Sequence, residues 1–291
     1  MNSAQDITDS SIRFAKSIKA LPPLPATAQE ILTCFGDEFI DAKKVASVVE
    51  ADAGICAKLL GLANSAYFGL PEPVNDIAEA ISRVLGVDTV RSLVLAMAIQ
   101  QSFDSKKCPA FDVQRFWMTS LRVAECCKKI AGADESADNS ERDLAYSAGL
   151  CHNLGLMALS HVEPERTGNV LQKCKEQGQP GCLTKHFNVE FETDHKIMTA
   201  ELGRMWSLPS SMVVAYQYRA FPNTPCDDRL GLVVAAGATA VQNEELEEDH
   251  KLSLSGWAES LGMSAEDLQG MALFDDRQKD RVQSLAGKFA G

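Results

Sequence analysis

The stretch Leu59-Leu60-Gly61-Leu62-Ala63-Asn64-Ser65-Ala66-Tyr67-Phe68-Gly69-Leu70-Pro71 runs from an apolar helical pattern into small, polar and aromatic residues and stops at Gly-Leu-Pro. Ile55, Leu59, Leu62 and Ala66 fall at i, i+4, i+7 and i+11, so one helical face carries a core-directed stripe. Gly69 can take the positive φ of a C-terminal cap, and Pro71 cannot continue a helix because it lacks an N–H and clashes with the preceding turn. Asn64 and Ser65 sit just before that stop, where short polar side chains bond orphaned helix carbonyls or a neighbouring segment. Taken alone, this is a helix with a specified end and not yet a piece of chemistry.

The helical period continues on both sides. Upstream, a Pro-rich entry leads to Thr27-Ala28-Gln29-Glu30, a capping-box pattern, with Ala28, Ile31, Leu32 and Phe35 as its stripe and Gly36 as its stop. Asp41 is placed to cap a second helix bearing Val45, Val48 and Val49, and Asp52 to cap the helix of the opening stretch. Downstream, Asp76 opens a helix with Ile77, Ile81, Val84 and Leu85 on one face and Gly86 past its end. Residues 90–99 are apolar nearly all round, which predicts an element buried between the front and second halves of the chain. Residues 106–110, charged and containing Pro109, are the expected internal boundary.

Beyond it the pattern predicts a long helix over 112–131, with Val113, Phe116, Ser120, Ala124 and Cys127 on one face and Gly132 as its stop. Ser140-Glu141-Arg142-Asp143 reads as an N-cap for a helix over 144–159. Further helices are predicted at about 164–177, 183–191, 194–206, 209–220 and 228–242. The acidic run 243–249 reads as a solvated loop, with Ser255 and Ser264 capping two short helices after it. Strand-like alternation and internal repeats are absent from the sequence, so the fold class expected is all-α.

A chain of 291 residues can bury a sizeable core in one large domain or two ordinary ones. A formal charge of -12 argues against a grip on nucleic acid or an anionic membrane, both of which need clustered Lys and Arg. Partners are therefore expected to be proteins or small molecules. Nine cysteines without a paired C-x-x-C fit a reducing compartment, and no stretch has the length of a signal peptide or a membrane span. The expected location is the cytoplasm.

Three groups of residues carry a more specific reading: Leu21-Pro22-Pro23-Leu24-Pro25, then Leu62-Ala63-Asn64-Ser65-Ala66-Tyr67-Phe68-Gly69, then Ala80-Ile81 through Leu85-Gly86. In this order and spacing they resemble the HDOD domain, an all-helical and catalytically degraded relative of the HD phosphohydrolases. The resemblance covers roughly residues 21–222. It implies a front helical subdomain (21–105) packed on a degenerate HD-like core (110–222); outside it, the sequence adds a polar lead-in (1–20) and an expected C-terminal helical extension (223–291) packed on the core. Asn64, Ser65, Tyr67, Phe68 and Gly69 are its signature residues.

The same resemblance locates a site. Gly149-Leu150-Cys151-His152-Asn153-Leu154-Gly155 is similar to the His-Asp signature of the HD superfamily with Asn153 in place of the Asp. A carboxylate offsets a metal's charge and bridges two ions, whereas an amide offers one weak neutral oxygen. Where the superfamily has an earlier His, the aligned residue is Thr119, and where it has a late Asp within an apolar helix, Gly237. His195 keeps the position of an auxiliary His, and Gln217-Tyr218 replace a later His pair. What remains for a metal is His152 and His195, with Asp194 and Glu201 nearby in sequence. Cys151 is a poor nucleophile candidate, because neighbours along a helix diverge by about a hundred degrees and its company is apolar. Phosphate loops, nucleophile elbows and zinc-protease motifs are absent.

The resemblance, with these ligands replaced, implies a non-enzymatic scaffold of bacterial signal transduction with a vestigial metal site, no cofactor and a protein partner. The rivals are a metal-dependent phosphohydrolase with a non-standard site, and a receptor for a nucleotide or cyclic dinucleotide in the vestigial cleft. Tyr67, beside Phe68 and the prolines at 71 and 73, is the candidate anchor for a partner protein, unless both rings merely seal the junction between the two bundles.

Overall fold

The computed structural model describes residues 21–34, 42–65, 68–134, 138–178, 181–220 and 228–290, the side chains of Arg281 and Ala290 excepted. Among them every regular element is helical. The front part holds α1 (Ala26–Leu32), α2 (Ala42–Glu50), α3 (Ala53–Ala63) and α4 (Ile77–Ala80), which runs into a π turn at Ile81–Leu85, followed by α5 (Val87–Gln101). Asp52 caps α3 by accepting from the Ile55 N–H at 3.0 Å, and Asp76 caps α4 by accepting from Glu79 at 2.7 Å. Gly86 ends the π turn at a φ of 76°, a conformation open to glycine because it has no Cβ.

The capping box at Thr27 does not form. Pro25 stands at the N-cap of α1, its carbonyl accepting from the Gln29 N–H at 3.0 Å, and the Thr27 hydroxyl instead lies 3.4 Å from Asp52 Oδ2. Gln29 is spent on the Leu24 carbonyl at 2.8 Å. Phe35, Gly36 and Asp41 lie outside the described residues.

α5 is the hinge of the architecture. All ten residues from Val90 to Ile99 are buried, including Arg91 and Ser92. One side of α5 packs on α1, α2 and α3, and the other meets the second half of the chain, where Ser92 Oγ and Ser147 Oγ are 2.5 Å apart. Arg91 is tolerable there because its guanidinium donates to the Cys34 carbonyl at 2.5 Å and pairs with Asp88.

The second half is built on α6 (Val113–Gly132), capped by Asp112, and α7 (Asn139–Cys151) packed along it. The cap of α7 is Asp138, which accepts from Glu141 at 2.8 Å, and not Ser140. The helix predicted over 144–159 is two helices. α7 ends at Cys151, and α8 (Leu154–Val162) begins after a turn at His152 and Asn153. α9 (Pro164–Gln177), α10 (Cys182–Phe191), α11 (His195–Met205), α12 (Ser210–Ala220) and α13 (Arg229–Asn243) complete the bundle, and α13 returns to pack on both α6 and α12. Gly132 is the last residue of α6 and not a left-handed stop, since Ala133 after it stays in the right-handed region.

Two short helices, α14 (Ser255–Leu261) and α15 (Ala265–Gly270), lie on α13. Ser264 caps α15, whereas Ser255 is the first residue of α14 and makes no cap bond. Asn243, expected in a solvated loop, is 2 % exposed and clamps Leu252 through bonds of 2.8 and 2.9 Å to its N–H and carbonyl. Glu245 is likewise held, by Arg115 and Arg122. The chain closes with α16 (Asp276–Ala290), which packs on α6 and reaches α3 of the front part. Its Phe289 is fully buried with its ring centroid 4.6 Å from that of Trp117, and the Gln100 side chain donates to the Phe289 carbonyl at 2.7 Å.

Candidate functional site

The turn between α7 and α8 sets the site. His152 is 3 % exposed, and its Nδ1 lies 2.7 Å from the Gly149 carbonyl oxygen. A carbonyl only accepts, so Nδ1 carries the proton and Nε2 keeps its lone pair. Burial, and then the charge of Arg219, push the ring well below the ordinary imidazole pKa, which keeps it neutral. Asn153 follows at the N-cap of α8 without a capping bond, and its Oδ1 is buried with no hydrogen-bond partner among the described residues.

Gly155 brings α8 onto α11. A Cβ there would stand 2.0 Å from the His195 carbonyl oxygen and 2.6 Å from the Thr199 nitrogen, so no other residue fits without displacing backbone. The Gly155 N–H donates to Thr199 Oγ1 at 3.0 Å, and that hydroxyl lies 3.1 Å from the His195 carbonyl, to which it donates. The contact places the His152 turn beside His195, close enough for the two rings to interact electrostatically.

His195 is also 3 % exposed and packs on Phe187 with centroids 5.3 Å apart. Its Nδ1 lies 2.5 Å from Asp194 Oδ1, and the two groups attract each other. Burial holds His195 below the ordinary imidazole value despite Asp194. Burial alone would raise the Asp194 carboxyl, but His195, Lys196 and a hydrogen bond with Thr184 hold it well below the usual carboxylate range. Lys196 Nζ lies 3.9 Å from Asp194 Oδ2.

The remaining candidates fall in different places. From α12, it is Arg219 that reaches the centre, donating to the His152 carbonyl at 3.2 Å. Gln217 is half-buried, and Tyr218 packs towards Gly231 of α13. Tyr216 donates to the Ala148 carbonyl at 3.2 Å. Gly237 sits where α13 crosses α6, and a Cβ on it would stand 2.9 Å from Cys127 Sγ. It is a packing glycine, and the side chain of an aspartate would have to displace that sulfur. Thr119 is half-buried on α6. Cys151 is buried and its thiol is pushed up to about 12 by desolvation, which leaves it protonated and inert. Glu201 is engaged by Arg204. Among the described residues no group of three or more His, Cys, Asp or Glu is arranged to hold a metal ion.

The signature residues of the front part serve the backbone. The Asn64 amide donates to the Val74 carbonyl at 2.8 Å, and its Oδ1 accepts from the Val74 N–H at 2.7 Å, which ties the end of α3 to the segment leading into α4. Ser65 is buried, and Phe68 lines a cavity of about 90 Å³ with Leu93, Leu121 and Leu285. Gly69 has a φ of 57°, but six residues past the end of α3, so it shapes the following turn and does not cap the helix. Tyr67 and Ala66 lie outside the described residues.

Sequence reasoning does not single out Arg219, Lys196, Gly155 or Thr199. Gly155 alone leaves a signal, a glycine inside an apolar helical run, which often marks close packing. The basic pair leaves none, because two cations on separate helices meet only in the folded chain.

The HDOD domain family matches residues 21–222. An uncharacterized protein of Treponema pallidum (strain Nichols) is 24% identical over 215 residues, 73% of this chain, which spans 40% of that relative's length. Among solved structures, one from Marinobacter aquaeolei VT8, provisionally named for signal transduction, superposes with a TM-score of 0.83 at 20% identity over 98% of this chain and 67% of its own. An HDOD domain protein of unknown function from Geobacter sulfurreducens gives 0.72 at 19% identity over 99% and 96%. A Shewanella amazonensis SB2B protein, provisionally named a phosphohydrolase, gives 0.72 at 21% identity over 95% and 98%. Among the described residues no helix is long and apolar enough to cross a membrane.

Proposed function

This chain belongs to the HDOD family, and from that premise we propose that it is a non-enzymatic scaffold in bacterial signal transduction, acting through a protein partner. The supporting observation is the donor set at the His152 turn. A hydrolytic metal centre needs carboxylates to balance divalent charge. Here the residue after His152 is the neutral Asn153 and not a carboxylate, and two cations, Arg219 and Lys196, lie near one carboxylate, Asp194. Gly237 has neither a donor nor room for one. The residues present therefore do not fit one or two divalent metals. The likeness to a protein named for signal transduction agrees with this reading, although shared fold does not carry function by itself.

The test is elemental analysis of the purified chain with an assay on a generic phosphodiester. The scaffold reading expects no stoichiometric Mn, Fe, Ni or Zn and no turnover above buffer. Stoichiometric metal together with hydrolysis establishes the rival phosphohydrolase, the reading suggested by the name of the Shewanella relative.

A further inference from the structure

Two basic side chains from different helices meet at the His152 turn with less negative charge than they carry. Arg219 of α12 is half-buried, and among the described residues its guanidinium makes a single hydrogen bond, to the His152 carbonyl at 3.2 Å, and no ion pair. Lys196 of α11 has one carboxylate within reach, Asp194 at 3.9 Å, which is also in contact with His195 at 2.5 Å. Of the acids flanking Asp194 and Lys196 in sequence, Glu190 is engaged by Arg166 at 3.1 Å and Glu201 by Arg204. With His152 and His195 neutral, the cluster holds a net positive charge. A half-buried cation without its counter-charge is costly, and the cost is relieved by an anion that bonds it.

We propose that Arg219 and Lys196 form a receptor for an oxyanion, a phosphate group, beside the His152 turn. A planar guanidinium grips two oxygens of a tetrahedral phosphate through parallel N–H donors, and an ammonium adds a point charge from a second direction. Only one nitrogen of Arg219 has a protein acceptor among the described residues, so its other donors are available to a ligand. The same chemistry is presented by inorganic phosphate and by the phosphate of a nucleotide.

This inference rests on the reading that the centre holds no divalent metal, since such an ion would claim the imidazoles and repel both basic groups. The experiment is calorimetric titration of the full chain at low ionic strength with inorganic phosphate, adenosine monophosphate and cyclic diguanylate, after elemental analysis. Saturable one-to-one binding is expected, weakened about tenfold or more in both Arg219→Gln and Lys196→Gln. Arg219→Lys keeps the charge but loses the fork and should bind less tightly than the native chain. Nucleotide binding at least tenfold tighter than phosphate identifies a nucleotide as the source, and equal affinities identify the free anion. Lys196 has a part-exposed side chain, so its variant keeps the fold and answers the question even if an Arg219 variant does not. Metal-free protein that binds none of the three overturns this inference and leaves the scaffold reading standing, as does binding undiminished in both variants. Stoichiometric metal overturns the scaffold reading and this inference together.

Discussion

His152 and His195 are neutral because burial penalises their charged forms, and this has a thermodynamic consequence. A histidine whose folded pKa is lowered binds fewer protons when folded than when unfolded, so stability falls as pH drops below the ordinary value of 6.5. Asp194, lowered from 3.8, acts only at more acid pH and stabilises the fold above that value. Melting temperature should therefore decline between pH 7 and pH 5, with stability falling at a slope approaching about 1.4 kcal/mol per pH unit for each ring. His152→Gln should flatten that slope, and an unchanged slope would show that the ring does not titrate as its burial demands. Asn153→Asp, the obvious restoration, should not recover metal binding, because Thr119 and Gly237 still supply no ligand. A carboxylate in place of the buried Oδ1 should instead cost about 1–3 kcal/mol unless Arg219 pairs with it, and nanomolar Mn or Zn affinity by calorimetry would refute this. At the other end of the chain, Asn64→Leu removes both bonds to Val74 and should cost roughly 1–3 kcal/mol in urea unfolding. Full stability with loss of partner capture would make Asn64 a recognition residue.

At the level of elements, the contact between α8 and α11 decides the site, since it brings the His152 turn beside His195. Gly155→Ala puts a methyl 2.0 Å from a backbone oxygen, and helices cannot relax there as a flexible side chain can. The variant should lose about 3 kcal/mol or more in chemical denaturation. Gly256→Ala in α14 meets nothing within 4 Å and serves as the contrast, expected to be neutral or to gain up to about 1 kcal/mol. Equal effects at the two positions would mean that α8 and α11 are not in close contact.

Across the whole molecule, α16 ties the ends together. Its Phe289 fills a place against Trp117 of α6, and its carbonyl is bound by Gln100 of α5, the helix shared by the front and second parts. Phe289→Ala should destabilise the chain by about 3–5 kcal/mol, as a fully buried aromatic does when truncated. A differential-scanning melt that stays in place would show that the terminal helix is peripheral.

Much of this fold was legible in the amino-acid order, because helical period, capping aspartates and stop residues are local. The helix starts at Asp52, Asp76, Asp112 and Ser264 come from a side-chain oxygen meeting an N–H three residues on. The apolar run in α5 likewise declared its burial, since only a position covered on all sides makes that composition stable. Local rules failed where a distant partner competed. Thr27 gave up its box in favour of Asp52, Asn243 left the expected loop to clamp Leu252, and the helix over 144–159 broke at His152 where a turn could meet α11. The residues of the candidate site divide in the same way. His152, Asn153 and His195 could be named from neighbouring words, but the charge around them could not, because Lys196 and Arg219 approach from separate helices and Gly155 admits that approach by having no side chain. Secondary structure was a property of short stretches, and the electrostatics of the centre belonged to the packing alone.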